Sequence, residues 1–489
     1  MDRNLGMVVS LFQIGFQGFH FPAGLLGLMH YPLASMKLTV PVFSGGMLVL
    51  LACLLFPNLV SAEDWPQWMG VERDGVWHEE GILRSIPADG LRKNWQSELG
   101  AGYSGPAVSN GRVFVMDRTV TAPEGKEAGQ NFSRGIIAGT ERVVCLDEKT
   151  GKRLWVHEYN SQYEISYPSG PRVTPTVDEN RVYSLGAEGN LYCLNVENGK
   201  VRWSRDFKRD YRVKTPLWGF AAHPLVVGNK LICLVGGRGS TVVAFDKRNG
   251  RELWSSLGSR EPGYCPPTLI HVGGEPQLIV WHPESVNGLN PENGQRIWSH
   301  AYQAKAGLTI AQPRLHGDLL FVSSFYNGPM MMKYGEKGDR PEVLWRGNGR
   351  NERNTEGLHS LMATPFIEDG HIYGVGSYGH LRCVNATTGE RIWETLEAAT
   401  KGKPTRWGNA FIVKNHDRFF LFNEQGELIA AELSPDGYKE HGRVHLIEPD
   451  NSDPRRSVVW SHPAFANGSI LVRNDKEIIS YSLKADSDS

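Results

Sequence analysis

The side chains with the most chemistry to offer occur in one recurring place, just ahead of short apolar runs that mostly begin with Pro. They are Tyr103, Arg172, Trp218, His223, Tyr264, Gln312, His359, Arg406, Trp407 and Trp460. An indole or phenol face stacks on a flat ring, a guanidinium grips an anion with parallel N–H bonds, and imidazole and amide groups add single directed bonds. Brought together, these groups would make a binding site for a small flat or anionic ligand. Each also has a plainer role. Trp218, Trp407 and Trp460 can fill gaps between packed sheets, and His223 and His462, each directly before a Pro, can serve backbone carbonyls. Arg172 and Arg406 are the stronger candidates, because a guanidinium taken out of water needs an anionic partner.

Other chemistries lack their residues. The sequence has no Cys-x-x-Cys, no two adjacent Cys and no metal-type His/Cys spacing, so neither a catalytic residue nor a metal ligand is assigned. Gly236-Gly237-Arg238-Gly239 is Gly-rich, yet it lies between two strand-like runs with no helix to receive a phosphate, and reads as a loose hairpin. Met330-Met331-Met332 reads either as soft packing or as an exposed contact patch. A net charge of −1, from 52 basic and 53 acidic residues, provides no global field to recruit nucleic acid.

The elements that must position these side chains are repeats. Val143-Val-Cys-Leu-Asp147-Glu-Lys-Thr-Gly151-Lys-Arg-Leu-Trp155 aligns with Leu191 through Gly199 to Trp203 and with Leu381 through Gly389 to Trp393. Shorter copies end at Trp254, Trp298 and Trp345, and successive Trp residues lie 44 to 51 positions apart. Asp or Asn caps backbone amides two residues on, the following Gly supplies a left-handed turn position, and the returning strand ends on Trp. A period in the forties points to four-stranded propeller blades, with the Trp filling the wedge between neighbours. Asp147, Asn195, Asp246, Asn290 and Asn385 are therefore turn-makers rather than site residues.

Blade starts give the number. Seven begin at Pro106, Pro175, Pro224, Pro267, Pro313, Pro365 and Pro463, and Gly408-Asn409-Ala410 supplies an eighth without Pro. The last copy stops near Leu483 before any Trp strand, and the missing strand is found at the other end, in Leu91-Arg-Lys-Asn-Trp95. The expected fold is all-β: an eight-bladed propeller over residues 91–489, closed by its N-terminal strand and preceded by a segment at 63–90. The stretch 119–140 reads as a solvated insertion.

Residues 1–62 read as a leader. Met36-Lys37, an uncharged run from Leu38 to Phe56, and Val60-Ser61-Ala62 before Glu63 have the order of a cleaved secretory signal, with translation starting at Met36. The alternatives are an uncleaved membrane anchor or lipidation at Cys53. Export places the protein in the periplasm or outside the cell. Removing the leader leaves five Cys, an odd number that excludes a complete disulfide framework, and they read as small buried hydrophobes.

The Leu-Asp-x-x-Thr-Gly-Lys-x-x-Trp unit resembles the pyrroloquinoline-quinone (PQQ) repeat over roughly residues 91–483. The opening Asp64-Trp65-Pro66-Gln67-Trp68-Met69-Gly70, with Trp218-Gly219-Phe220-Ala221-Ala222, resembles an exported bacterial subfamily abundant in planctomycetes. The resemblance implies the fold and leaves function open, since relatives include quinoprotein alcohol dehydrogenases and a lipoprotein that helps assemble outer-membrane barrels. The dehydrogenases hold PQQ over calcium, commonly beneath a disulfide between adjacent Cys, with an Asp base. Those residues do not map onto this chain. The expected role is accordingly a binding or scaffold protein, taking a small ligand at the channel mouth or a protein partner. A PQQ- and calcium-dependent oxidoreductase and an outer-membrane assembly factor are the alternatives.

Overall fold

A computed structural model describes residues 62–120, 136–347, 351–453 and 456–485. The expected leader, up to Ser61, and most of the insertion, 121–135, lie outside the described residues. Residues 60–489 form one compact unit.

Eight four-stranded antiparallel sheets follow one another along the chain. The second blade shows the pattern, with strands Thr176–Asp178, Arg181–Leu185, Asn190–Asn195 and Val201–Asp206 in spatial order. First strands of neighbouring blades touch and so line the centre. The eighth blade takes three strands from Ala464–Ser482 and its outermost from Lys93–Glu98, which pairs Trp95 with Ser480 and Glu98 with Glu477. Closure by the N-terminal strand removes the two edges a linear array would expose. Among the described residues, no helix is long and apolar enough to cross a membrane.

The repeat motif couples each blade to the next. In the turns, Asp147 Oδ1 accepts from the Thr150 amide at 2.9 Å, and Asn195, Asn290 and Asn385 accept from amides two residues on at 2.8 to 2.9 Å. The Trp at the end of one blade lies flat on the turn Gly of its neighbour. Trp155 Nε1–H donates to the Val196 carbonyl at 2.8 Å, and a Cβ on Gly199 would sit 2.5 Å from the Trp155 ring. Gly199 is thus required twice, for its φ of +67° and for the space the indole fills. Trp95, Trp203 and Trp345 repeat the arrangement on Gly151, Gly250 and Gly389. Trp298 departs from it. The fifth blade lacks the Asp/Asn-Gly turn, and this indole donates instead to Gln277 Oε1, at 2.8 Å.

Some details differ from the sequence reading. Residues 137–140, expected in a solvated loop, extend a strand: Thr140 pairs with Thr119, and Ile137 to Thr140 pair with Tyr163 to Asn160. The chain continues the ladder there because both flanking strands are long enough to satisfy its backbone. Met330, Met331 and Met332 are fully buried, which makes them packing. Cys145, Cys193, Cys233, Cys265 and Cys383 are buried and unbridged.

The segment 63–90 crosses the centre of the ring. The Trp65 backbone bonds to Val108 in the first blade, and the Val177 amide of the second donates to the Pro66 carbonyl at 2.8 Å. Arg73 is buried and donates to the Pro224 carbonyl at 2.8 Å in the third blade. Trp77 and Lys414 exchange contact through Trp77 N–H at 2.8 Å, and Asn415 Nδ2 donates to the Trp77 and Glu79 carbonyls. Trp65 and Trp77, both buried, pack on Phe465 of the eighth blade. Two large indoles in a segment with no ladder of its own can be buried only against other elements, and the narrow ends of the blades provide that surface.

Candidate functional site

The loops that precede the first strands converge above this crossing segment. They enclose a cavity of ≈ 250 Å³ to which all eight blades contribute. Its walls are aromatic: Tyr103, Trp218, Tyr264, Trp407 and Trp460, joined by Tyr167 and Tyr326. Trp68, from the crossing segment, lies at the floor between His223 and His462. The channel is therefore closed beneath the cavity by the chain's own N-terminal region.

Of the residues singled out in the sequence, Tyr103, Arg172, Trp218, His223, Tyr264 and Trp407 line this cavity, with Trp460 and His462. Gln312, His359 and Arg406 do not. Gln312 is buried, and its backbone N–H donates to Thr364 Oγ1 at 3.1 Å. His359 is fully buried behind the wall, with Nδ1 3.0 Å from the Phe325 carbonyl. Arg406 finds its anion within the protein, Glu352 at 3.2 Å, and braces the wall from outside, bonding Tyr326 Oη at 3.2 Å and lying 4.9 Å over the Trp407 ring.

Arg172, expected to need an anionic partner, is held in place by backbone carbonyls. Its Nη2 donates to the Ser166 and Tyr167 carbonyls at 2.9 and 2.6 Å, its Nη1 donates to Gly170, and its guanidinium lies 5.1 Å from the Tyr103 ring. Carbonyl dipoles orient the group without neutralising it. No Asp or Glu lines the cavity, so Arg172 carries its one formal charge among the described residues. Tyr103 Oη donates to Asn451 Oδ1 at 3.1 Å, and burial pushes the phenol up to about 12, so it stays neutral. Burial likewise holds His223 well below the ordinary imidazole range and brings His462 down to about 4.

Trp460 is fixed through its indole N–H, which donates to the buried Glu424 carboxylate at 3.1 Å. Tyr167 packs on Trp407 and Trp460 with ring centroids 6.4 and 5.7 Å away. Tyr167 and Trp407 both have left-handed backbone conformations, φ +55° and +64°. Bulky residues there cost of order 1–3 kcal/mol, and such strain gathers at functional sites.

The sequence reading missed Trp68, Tyr167 and Tyr326. A signal existed for Trp68: two Trp residues within four positions, outside any repeat, demand burial somewhere. Tyr167 and Tyr326 lie in irregular connections that show no periodicity.

Comparison with known proteins places these observations in a family. A family model described as outer membrane protein assembly factor BamB matches residues 139–394 and, overlapping, 340–436. The chain belongs to this BamB-type PQQ-repeat family. It is 22% identical over 304 residues to the outer membrane protein assembly factor BamB of Shewanella oneidensis, covering 57% of this chain and 74% of that one. It is 32% identical over 147 residues to the quinoprotein alcohol dehydrogenase PedH of Pseudomonas putida, but spans 27% of this chain and only 22% of that enzyme. Among solved structures, a europium-containing methanol dehydrogenase superposes with a TM-score of 0.55 at 13% identity, covering 85% of this chain and 89% of that one. That likeness concerns the fold alone.

The dehydrogenase relatives raise the question of whether the cavity suits a metal-bridged quinone. The aromatic walls suit a flat ring. The donor set does not suit the ion: calcium takes six to eight oxygen ligands, carboxylates prominent among them, and the lining contains no carboxylate. Among the described residues, no group of three or more His, Cys, Asp or Glu could hold a metal. The residues do not fit a calcium-bridged quinone.

Proposed function

We propose that this protein is an exported binding protein whose cavity at the channel mouth takes a small flat ligand bearing an acidic group. The ring would stack on Trp and Tyr faces, and the acid would meet Arg172. The observation that supports it is the pairing of Tyr167 and Trp407, two bulky residues held in left-handed conformations side by side in the wall of a carboxylate-free cavity. Strain of that kind persists only where the surroundings over-determine it.

A thermal-shift screen of flat aromatic carboxylates, with PQQ plus calcium included, tests the reading. A ligand at one hundred times its Kd adds about 2.7 kcal/mol of stability, and Arg172→Met should shrink that shift. A screen in which nothing moves the wild type, or in which Arg172→Met responds equally, overturns it. A shift that requires calcium would favour the quinoprotein reading.

The family match favours a second reading, a scaffold with a protein partner in outer-membrane assembly. Site-specific crosslinking from the outer strands in cell envelopes separates the two, because a scaffold should trap one partner whether or not the cavity is mutated.

A further inference from the structure

The floor of the cavity holds two imidazoles of opposite hydrogen-bonding character. The Thr174 amide N–H donates to His223 Nδ1 at 3.0 Å, so that nitrogen is the acceptor and the ring proton sits on Nε2. His462 Nδ1 lies 2.7 Å from the Pro463 carbonyl, which can only accept. Nδ1 therefore carries the proton there and Nε2 is a bare lone pair. Burial keeps both rings neutral near pH 7. Among the described residues the hydrogen bonds of both rings are made through Nδ1, neither Nε2 has a protein partner, and both residues line the cavity. Trp68 fixes the pair: its indole stacks on His223 at 4.7 Å and 7°, and meets His462 edge-on at 6.2 Å. Phe411 also packs against His462, with ring centroids 4.8 Å apart.

Resting on the reading of the cavity as a ligand site, we infer that Trp68, His223 and His462 select a ring whose edge places a hydrogen-bond acceptor beside a donor, as a lactam does. A lactam carbonyl accepts from His223 Nε2–H while its N–H donates to His462 Nε2. A carboxylate at the floor would face the His462 lone pair, and an ammonium would face the His223 N–H. Each leaves one buried polar group opposed, a cost that makes such sites discriminating. The flat walls favour a planar ring over a puckered one, and Arg172 takes an acid elsewhere on it. The ligand class is a planar nitrogen heterocycle with a lactam edge and a carboxylate.

Three fluorescent or absorbing probes test this by direct titration: pterin-6-carboxylate, its N3-methyl derivative, and 2-naphthoate, which has the flat ring and the acid but no lactam. The wild type should bind pterin-6-carboxylate at least tenfold more tightly than either of the others. In His462→Phe the preference for pterin-6-carboxylate over its N3-methyl derivative should vanish. The N3-methyl comparison uses only wild-type protein, so it stands even if the variant folds poorly. Equal affinity for all three probes overturns the selectivity of the floor and leaves the cavity reading intact. No binding of any probe at millimolar concentration also overturns it, and the wider thermal-shift screen then decides the cavity reading separately.

Discussion

Gly111 and Gly199 allow the coupling between blades to be measured apart from backbone strain. Both have positive φ, +74° and +67°, so an Ala at either position carries the left-handed penalty of about 1–2 kcal/mol. They differ in what the new methyl meets. At Gly111 nothing lies within 4 Å, whereas at Gly199 the methyl would sit 2.5 Å from the Trp155 ring. Gly199→Ala must displace the indole, losing its hydrogen bond to the Val196 carbonyl, about 1 kcal/mol, and adding an overpacking cost of about 1–3 kcal/mol. The expected difference between the two variants is therefore about 2–4 kcal/mol. Equilibrium urea unfolding, followed by circular dichroism and by Trp fluorescence, reads it directly, with the exposed Lys200→Val as a near-neutral control. In a Trp155→Ala background the extra cost of Gly199→Ala should disappear, a coupling of about 2–4 kcal/mol. Equal costs at Gly111 and Gly199, or strict additivity in the double variant, would refute the docking of each Trp on its neighbour's turn.

Acid should weaken the fold through the floor imidazoles. His462 falls to about 4 in the folded protein against roughly 6.5 when unfolded, so the unfolded chain takes up the proton first. Its contribution is fully present above pH 6.5 and is lost as the pH falls towards 4, by about 3 kcal/mol at most. His223, shifted the same way, adds to it. Unfolding at pH 7.5 and 4.5 should show a smaller acid loss in His462→Phe than in the wild type, and an unchanged loss would contradict the assignment. Asn415→Ala removes two buried bonds to the crossing segment and should cost about 2–4 kcal/mol while increasing proteolysis near residues 63–79; resistance equal to wild type would argue against that anchoring. Arg172→Met removes the guanidinium bonds to the Ser166, Tyr167 and Gly170 carbonyls, and a loss of about 1–3 kcal/mol is expected in urea unfolding.

The ring was legible from local chemistry because five of the repeats state their own turn: Asp or Asn, then Gly, then Trp at fixed offsets. The number of blades followed from the Pro-led starts, and closure followed from the mismatch between the last copy and Trp95. The site was legible only in part. Position ahead of a first strand pointed to Tyr103, Arg172, Trp218, His223, Tyr264 and Trp407, and these line one cavity. The same rule sent His359 and Gln312 there, though both turn into the wall, because sequence position fixes a loop and not the side of it that a side chain takes. Arg406 shows the same limit, since its partner Glu352 lies 54 residues away in an irregular stretch. For Trp68 the local pattern signalled burial but not place, because its seat at the floor depends on contacts with His223 and His462, far along the chain.

Those contacts impose an order on folding. Trp65 can pair with Val108 almost at once, but Trp77 must wait for Lys414, 337 residues on, and the strand Lys93–Glu98 must wait for Glu477–Ser482. At roughly 5–20 residues synthesised per second, that is a delay on the order of 20–70 s between the making of Trp77 and the making of its partner. Throughout that interval the Trp77 indole and an unpaired strand lack their native partners. The late arrival of the eighth blade then closes the ring, seats the crossing segment and completes the cavity floor in one step, so the capacity to bind at the mouth would report that the whole circle has been finished.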